Sequence, residues 1–253
     1  MLKTSSVCQN TRRYCHGPLG KTFEFIRTNE IKNLINHSVA YARAKFYKNL
    51  TPIVRLALRK KTFTIDGMNF NYWISPYNAT WANERAVEIP YIHNVSKDES
   101  HSNVLEVGNV MSNYMPSEWC VCDKYECGER VINEDVRDLS LKKKFNLIMS
   151  ISTLEHAGFD EPDQDPNALA TAIKQLKKHL AVGGEIHCTL SLGYNPHVDR
   201  QLKFNSAGFE KVSCLIRDGM TSWQQTELEE ALGFTYGRPY NCANAVAFCV
   251  ATK

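Results

Sequence analysis

Apolar positions recur at helical spacing early in the chain. Ile31, Leu34, Ile35, Val39, Ala42 and Phe46 predict a helix over residues 29–48. Ile53, Val54, Leu56 and Leu58, interleaved with Arg55, Arg59, Lys60 and Lys61, predict a second short helix over 52–60. The period then changes to two. KTFTIDGMNFNYWISP alternates like a hairpin with Asp66-Gly67 as its turn. TWANERAVEIPYIHN returns to helical spacing, with Pro90 as its expected end.

Beyond residue 100 the pattern is regular. NVLEV, EWCVCD, RVINED and FNLIMSIS read as four strands, and GGEIHCTLSL as a fifth. Between the last two, DPNALATAIKQLKKHL carries helix signals: Asp165 as N-cap, Pro166 behind it, lysines near its end and Gly183-Gly184 beyond. Strands alternating with helices predict a parallel sheet covered on both faces. GFEKVSCLIRD and NAVAFCVAT are two further strands, separated by a stretch that holds Trp223 and little strand character. The expected fold is α/β and doubly wound: a mostly parallel seven-stranded sheet with an antiparallel last strand, behind a basic helical N-terminal extension. Residues 1–80 form that extension (arm, helices and short hairpin) and residues 81–253 the main domain.

Charge sharpens this division. Residues 1–61 hold 13 Lys and Arg against two Glu, whereas the other 192 residues carry 17 basic and 25 acidic side chains. A basic extension of this kind suits an anionic membrane surface or nucleic acid, and covering the sheet is the plainer alternative. The N-terminus lacks the apolar run of a signal peptide, so a cytoplasmic protein, peripheral to a membrane at most, is expected. Nine cysteines, an odd number in a chain of 253 residues, read as free thiols. Cys120, Cys122 and Cys127 are spaced loosely enough to suggest zinc, but no second Cys or His pair stands nearby.

NVLEVGNVMSNYMP raises the central chemical question. It opens like a nucleotide-binding strand and turn, yet Val110 and Ser112 stand where further glycines are expected. In their right order, VLEVGN, VCDKYE, INEDVRD, FNLIMSISTLEH and LKKHLAVGGEIHCTL resemble the Rossmann-like (class I) S-adenosylmethionine-dependent methyltransferases, from about Trp81 onward. STLEHAGFDEPDQDP with LSLGYNPHVD also resembles a glycan-modifying, sugar O-methyltransferase branch. S-adenosylmethionine has no phosphate to cradle, so missing glycines argue against NAD or FAD more than against a methyl donor. A binding or scaffold protein with a decayed cofactor site is the rival reading.

The resemblance implies roles by position. Glu106 would stand near the cofactor's amino-acid portion, and Gly108, with Asn109 beside it, would allow close backbone approach. Asp123 would accept the ribose hydroxyls, Asp135 and Val136 would meet the adenine edge, and Ser152 would end strand four beside the cofactor. Arg85 could grip the cofactor carboxylate, with a surface ion pair as the alternative; for Asp135 the alternative is a helix cap. His156 suits a general base for a hydroxyl acceptor, with Asp160 in reserve and Glu155 as orienting partner; for His156 the alternative is a local hydrogen bond that shapes the pocket. Tyr194, Asn195 and Trp223, with Glu155, are candidate acceptor contacts. Asp160, Glu161, Asp163 and Asp165 could attract a divalent metal, but the run lacks the glycine turn and closing glutamate of a calcium loop. A solvated acidic loop is the better reading. The expected function is methyl transfer from S-adenosylmethionine to a hydroxyl of a glycan or glycolipid sugar, with RNA as an alternative acceptor.

Overall fold

The structure, a computed structural model, describes the backbone of residues 31–253 and the side chains of residues 42–253. The basic arm expected over residues 1–20 lies outside the described residues. Helix α1 is one continuous element, Ile31–Leu58, in place of the two helices expected, with Pro52 inside it. The chain divides between Tyr47 and Lys48 into two units, and the second runs to Lys253. Strands β1 (Thr62–Ile65) and β2 (Met68–Asn71) form the hairpin, turning at Asp66 and Gly67 with φ of 53° and 76°. The sequence assigned this hairpin to the extension, but it belongs to the second unit. Phe63, Ile65 and Phe70 pack with Val87, Ile89 and Ile92 in one core cluster.

Helix α2 spans Arg85–Ser96 and continues through Pro90 instead of ending there. A proline inside a helix leaves the carbonyl four residues earlier without its usual donor. Here the Ala86 carbonyl accepts from the Trp73 backbone N–H at 2.9 Å, so the defect is filled from outside.

Eight strands form the main sheet: β3 (Val104–Val107), β4 (Cys120–Cys122), β5 (Val131–Ile132), β6 (Phe145–Ile151), β7 (Leu180–Ser191), β8 (Lys211–Gly219), β9 (Ser222–Thr226) and β10 (Ala245–Thr252). Their order is β5-β4-β3-β6-β7-β10-β8-β9. The first five run parallel, and β10 lies antiparallel between β7 and β8, as expected for the last strand. The eighth strand is the addition. Ser222–Thr226, around Trp223, folds back antiparallel on β8 in the stretch expected to lack strands.

Strand alternation splits the core. Leu147, Met149 and Ile151 face the cluster beneath α2, while Ile148 joins the opposite cluster with Leu169, Ile173 and Leu176 of helix α3 (Ala168–Lys178). Helix α4 (Pro196–Asn205) follows β7, and the single-turn α5 (Leu228–Ala231) follows β9. Cys120, Cys122, Cys188, Cys214 and Cys249 are free thiols. Among the described residues, no helix is long and apolar enough to cross a membrane.

Candidate functional site

In an open parallel sheet, chain order reverses at one point, and the loops there diverge to leave a crevice at the strands' carboxyl ends. Here that point lies between β3 and β6. A cavity of about 320 Å³ opens beside it. It is lined by residues at the ends of four strands and just beyond them: Val107 and Gly108 at β3, Cys122 to Tyr125 at β4, Glu134 to Val136 after β5, and Ser152 to Leu154 with His156, Ala157, Asp160 and Glu161 after β6. Of the residues singled out from sequence, Gly108, Asp123, Asp135, Val136, Ser152, His156 and Asp160 meet at this cavity.

Gly108 has φ of 82°, and a side chain there would strike Thr153 across the crevice. Val110 and Ser112 do not line the cavity. Val110 packs against the α2-side core, and Ser112 donates from Oγ to Asn109 Oδ1 at 2.6 Å. The turn is shaped by Glu106 instead. Its side chain leaves the strand on the α2-side face and is fully buried. One oxygen accepts from the Val110 and Met111 amides and the other from Trp119 Nε1, each at 2.8 Å. Burial pushes its carboxyl upward against these three donors. The expectation that Glu106 reaches the cofactor therefore changes to an internal role, because β3 alternation aims it away from the cavity. Asn109 also turns away, donating to Glu126 Oε2 at 2.7 Å.

Asp123 caps its own turn, Oδ1 accepting from the Tyr125 and Glu126 amides at 2.8 Å each. Asp135 is more committed. Arg137 donates to Oδ1 at 2.9 Å through Nε and to Oδ2 at 2.5 Å, and Lys124 lies 3.1 Å from Oδ2. Arg137, with Lys124 adding to it, holds the Asp135 carboxyl well below the usual range. Glu161 completes the group, 2.6 Å from Lys124 and 2.9 Å from Arg137, and is likewise held low by them. Sequence reasoning missed Lys124 on the cavity wall and Arg137 beside it, and weighed the wall residue Glu161 only as a metal ligand. Their signal was alternating charge immediately beside the acids it chose.

The strand β6 exit carries the sharpest chemistry. Ser152 has φ of 39°, and its Oγ donates to Glu88 Oε1 at 2.6 Å and lies 3.0 Å from Ser191 Oγ. Glu88 also holds Arg85, so Arg85 forms a largely buried pair within α2 and does not line the cavity. At the rim, His156 Nδ1 lies 2.7 Å from Asp160 Oδ2, with both side chains about half exposed at 45% and 48%. Tyr194 donates its hydroxyl to Asp160 at 2.8 Å, and burial with that carboxylate pushes the phenol upward. Its ring centroid is 4.6 Å from His156, 5.1 Å from Tyr236 and 5.7 Å from Phe159. Tyr236, not singled out from sequence, has its phenol pushed up to about 12, chiefly by burial.

Three expected acceptor contacts are structural. Glu155 is fully buried, accepting from the Ser191 amide at 3.0 Å, and the partner of His156 is Asp160 instead. Asn195 caps α4, accepting from the His197 amide at 2.9 Å and donating to the Glu155 carbonyl at 2.8 Å. Trp223 is buried in β9 beneath the Arg217 guanidinium. Among the described residues no group of three or more His, Cys, Asp or Glu could hold a metal ion.

No protein-family model and no curated protein sequence matches the chain. Among solved structures it is similar to the N-methyltransferase NodS of Bradyrhizobium japonicum in complex with S-adenosyl-L-homocysteine, at 14% identity and TM-score 0.42, covering 66% of this chain and 85% of that one. It is also similar to an S-adenosylmethionine-dependent methyltransferase of Clostridium acetobutylicum, at 14% identity and TM-score 0.36, covering 64% and 89%. The glycopeptide N-methyltransferase MtfA, complexed with S-adenosyl-L-methionine, stands at 12% identity and TM-score 0.37, covering 64% and 92%. The fold itself is an α/β sheet, mostly parallel, with an antiparallel C-terminal strand and helices on both faces, and its strand order carries that conclusion.

Proposed function

We propose that this chain is a methyltransferase that uses S-adenosylmethionine and acts on a hydroxyl, that of a sugar in a glycan or glycolipid. The observation that carries the reading is the His156–Asp160 pair at 2.7 Å, on the wall of a cavity at the switch point of the sheet. The residues present suit such a cofactor. Gly108 keeps the backbone bare where a Cβ would block the crevice, Asp123 offers a carboxylate to a ribose diol, and Val107, Val136, Leu154 and Ala157 give apolar walls for a base. When bound, S-adenosylmethionine supplies an electrophilic sulfonium methyl group.

The chain's own contribution is to align and deprotonate the acceptor. Asp160 accepting at Nδ1 leaves the basic lone pair of His156 on Nε2. An acceptor hydroxyl placed there loses its proton to Nε2 as its oxygen takes the methyl, and the Asp160 carboxylate stabilises the imidazolium that results. Phe159, Tyr194 and Tyr236 form an aromatic shelf beside this base, of the kind on which a sugar face rests. A non-catalytic reading draws on one observation, that Asp135 is already taken by Arg137 and Lys124.

Calorimetric titration with S-adenosylhomocysteine, with NAD as control, separates the two. Micromolar binding of the first alone supports a methyl-donor site, and binding of neither favours the scaffold. With a sugar acceptor in hand, His156→Ala should keep cofactor-product affinity and lose about 10²–10⁴-fold in kcat. Undiminished turnover would remove His156 as the base.

A further inference from the structure

The last turns of α1 present a face that the proposed chemistry does not use. From residue 31 to residue 65 the chain has eight Lys and Arg and no acidic residue. Ile53 is 67% exposed and Leu56 63%, while Thr51 and Leu58, on the opposite side of the helix, are buried. Residues three apart lie side by side on a helix, so Ile53 and Leu56 form one apolar strip. Lys48, Arg59, Lys60 and Lys61, all exposed, stand around it. Beside the helix a cleft of about 400 Å³ is lined by Lys48, Asn49, Thr51, Pro52, Arg55 and Pro76, cationic and polar with no acid.

We propose that residues 48–61 dock this protein on the surface of an anionic phospholipid bilayer. The apolar strip enters the headgroup–acyl boundary, the surrounding cations meet lipid phosphates, and the cleft receives one headgroup. Large exposed aliphatic side chains gain from that boundary and gain nothing from a nucleic-acid backbone. The segment has no aromatic ring on which a base could stack, which sets it apart from single-strand binding surfaces. Charge supports the same orientation. Residues 62–253 carry 17 basic against 25 acidic side chains, so an anionic surface attracts the helix and repels the body.

The test is cosedimentation of the full chain with vesicles of phosphatidylcholine alone and of phosphatidylcholine mixed with phosphatidylglycerol, at low and high salt. Binding is expected to the mixed vesicles only, weakening as salt rises. An Arg59→Gln, Lys60→Gln variant should weaken it by about fivefold per cation removed. An Ile53→Ser, Leu56→Ser variant should weaken it by about tenfold or more. Both pairs are exposed, and unchanged thermal melting would show that the fold is intact. No binding to anionic vesicles would overturn the proposal, as would binding that neither variant reduces. Two further results would reassign the face: tighter binding of single-stranded RNA lost in the cation variant, or a dimer in size-exclusion chromatography lost in the Ile53/Leu56 variant.

Discussion

Replacing Gly108 with alanine tests how the crevice between β3 and β6 is kept open. Two separate costs are expected. The first is conformational: φ of 82° places an L-residue in the left-handed region, at about 1–2 kcal/mol, offset by about 0.5 kcal/mol from the stiffer unfolded chain. The second is steric. The new Cβ would stand 2.7 Å from Thr153 Cγ2 and 3.0 Å from its Cβ, and closer still to Oγ1. Thr153 cannot simply turn away, because its Oγ1 donates to the Ile151 carbonyl at 3.0 Å. Overpacking of this kind costs about 1–3 kcal/mol, so Gly108→Ala should lose about 2–4 kcal/mol in urea unfolding followed by tryptophan fluorescence.

Two controls separate the costs. Gly183 has φ of 76° and nothing within 4 Å of its ideal Cβ, so Gly183→Ala should show the conformational cost alone, about 1 kcal/mol. In a Thr153→Ala background the Gly108→Ala penalty should fall by about 1–2 kcal/mol, a coupling well outside additivity. If Gly108→Ala costs no more than Gly183→Ala, or if the penalty is the same with and without the Thr153 side chain, the close approach is not what selects glycine here.

Other consequences can be checked more briefly. Trp119→Phe deletes the donor to buried Glu106 and should cost about 1–3 kcal/mol of unfolding free energy; a loss below about 0.5 kcal/mol would show that Glu106 does not depend on it. Asp199, whose carboxyl burial pushes up to about 6, holds a charge the fold disfavours. Because its folded pKa lies above the unfolded value, the contribution of Asp199 to stability is greatest below about pH 4 and is lost as pH rises through about 6. Asp199→Asn should therefore be more stable than wild type above pH 6, by about 1–2 kcal/mol after allowing for solvent screening, with the gain gone near pH 4. Equal stabilities at both pH values would refute this. Tyr194→Phe removes the hydroxyl that holds Asp160 and should lower kcat by about tenfold with the affinity for S-adenosylhomocysteine unchanged. A drop in that affinity instead would place Tyr194 in the cofactor site.

Period and caps made most of the sheet legible. VLEV and FNLIMSI are buried runs bounded by polar turns, and their parallel pairing follows from the connections between them. What escaped depended on contacts distant in sequence. Pro90 reads as a helix end because nothing local shows that the Trp73 amide will serve the Ala86 carbonyl. Ser222–Thr226 has weak alternation and becomes a strand because β8 offers it an edge. The hairpin reads as part of the extension because nothing local shows that its two buried phenylalanines, Phe63 and Phe70, which stack on each other, also pack with α2 and the main sheet.

The site shows the same division. Gly108, Asp123, Asp135, Val136, Ser152, His156 and Asp160 stand at strand exits, and any residue there in a parallel sheet is brought to the switch point by topology alone. Which way a side chain points is a separate matter. Glu106 lies one residue before the strand end, and strand alternation turns it to the face where Trp119 and the Val110 and Met111 amides wait. This also settles what happens to a glycine-poor turn. Two turn amides bonded to one buried carboxylate, which Trp119 holds in turn, fix the backbone that additional glycines would have left loose, so Val110 and Ser112 carry side chains without entering the cavity. A turn pinned from beneath needs only one bare position, and Gly108 supplies it.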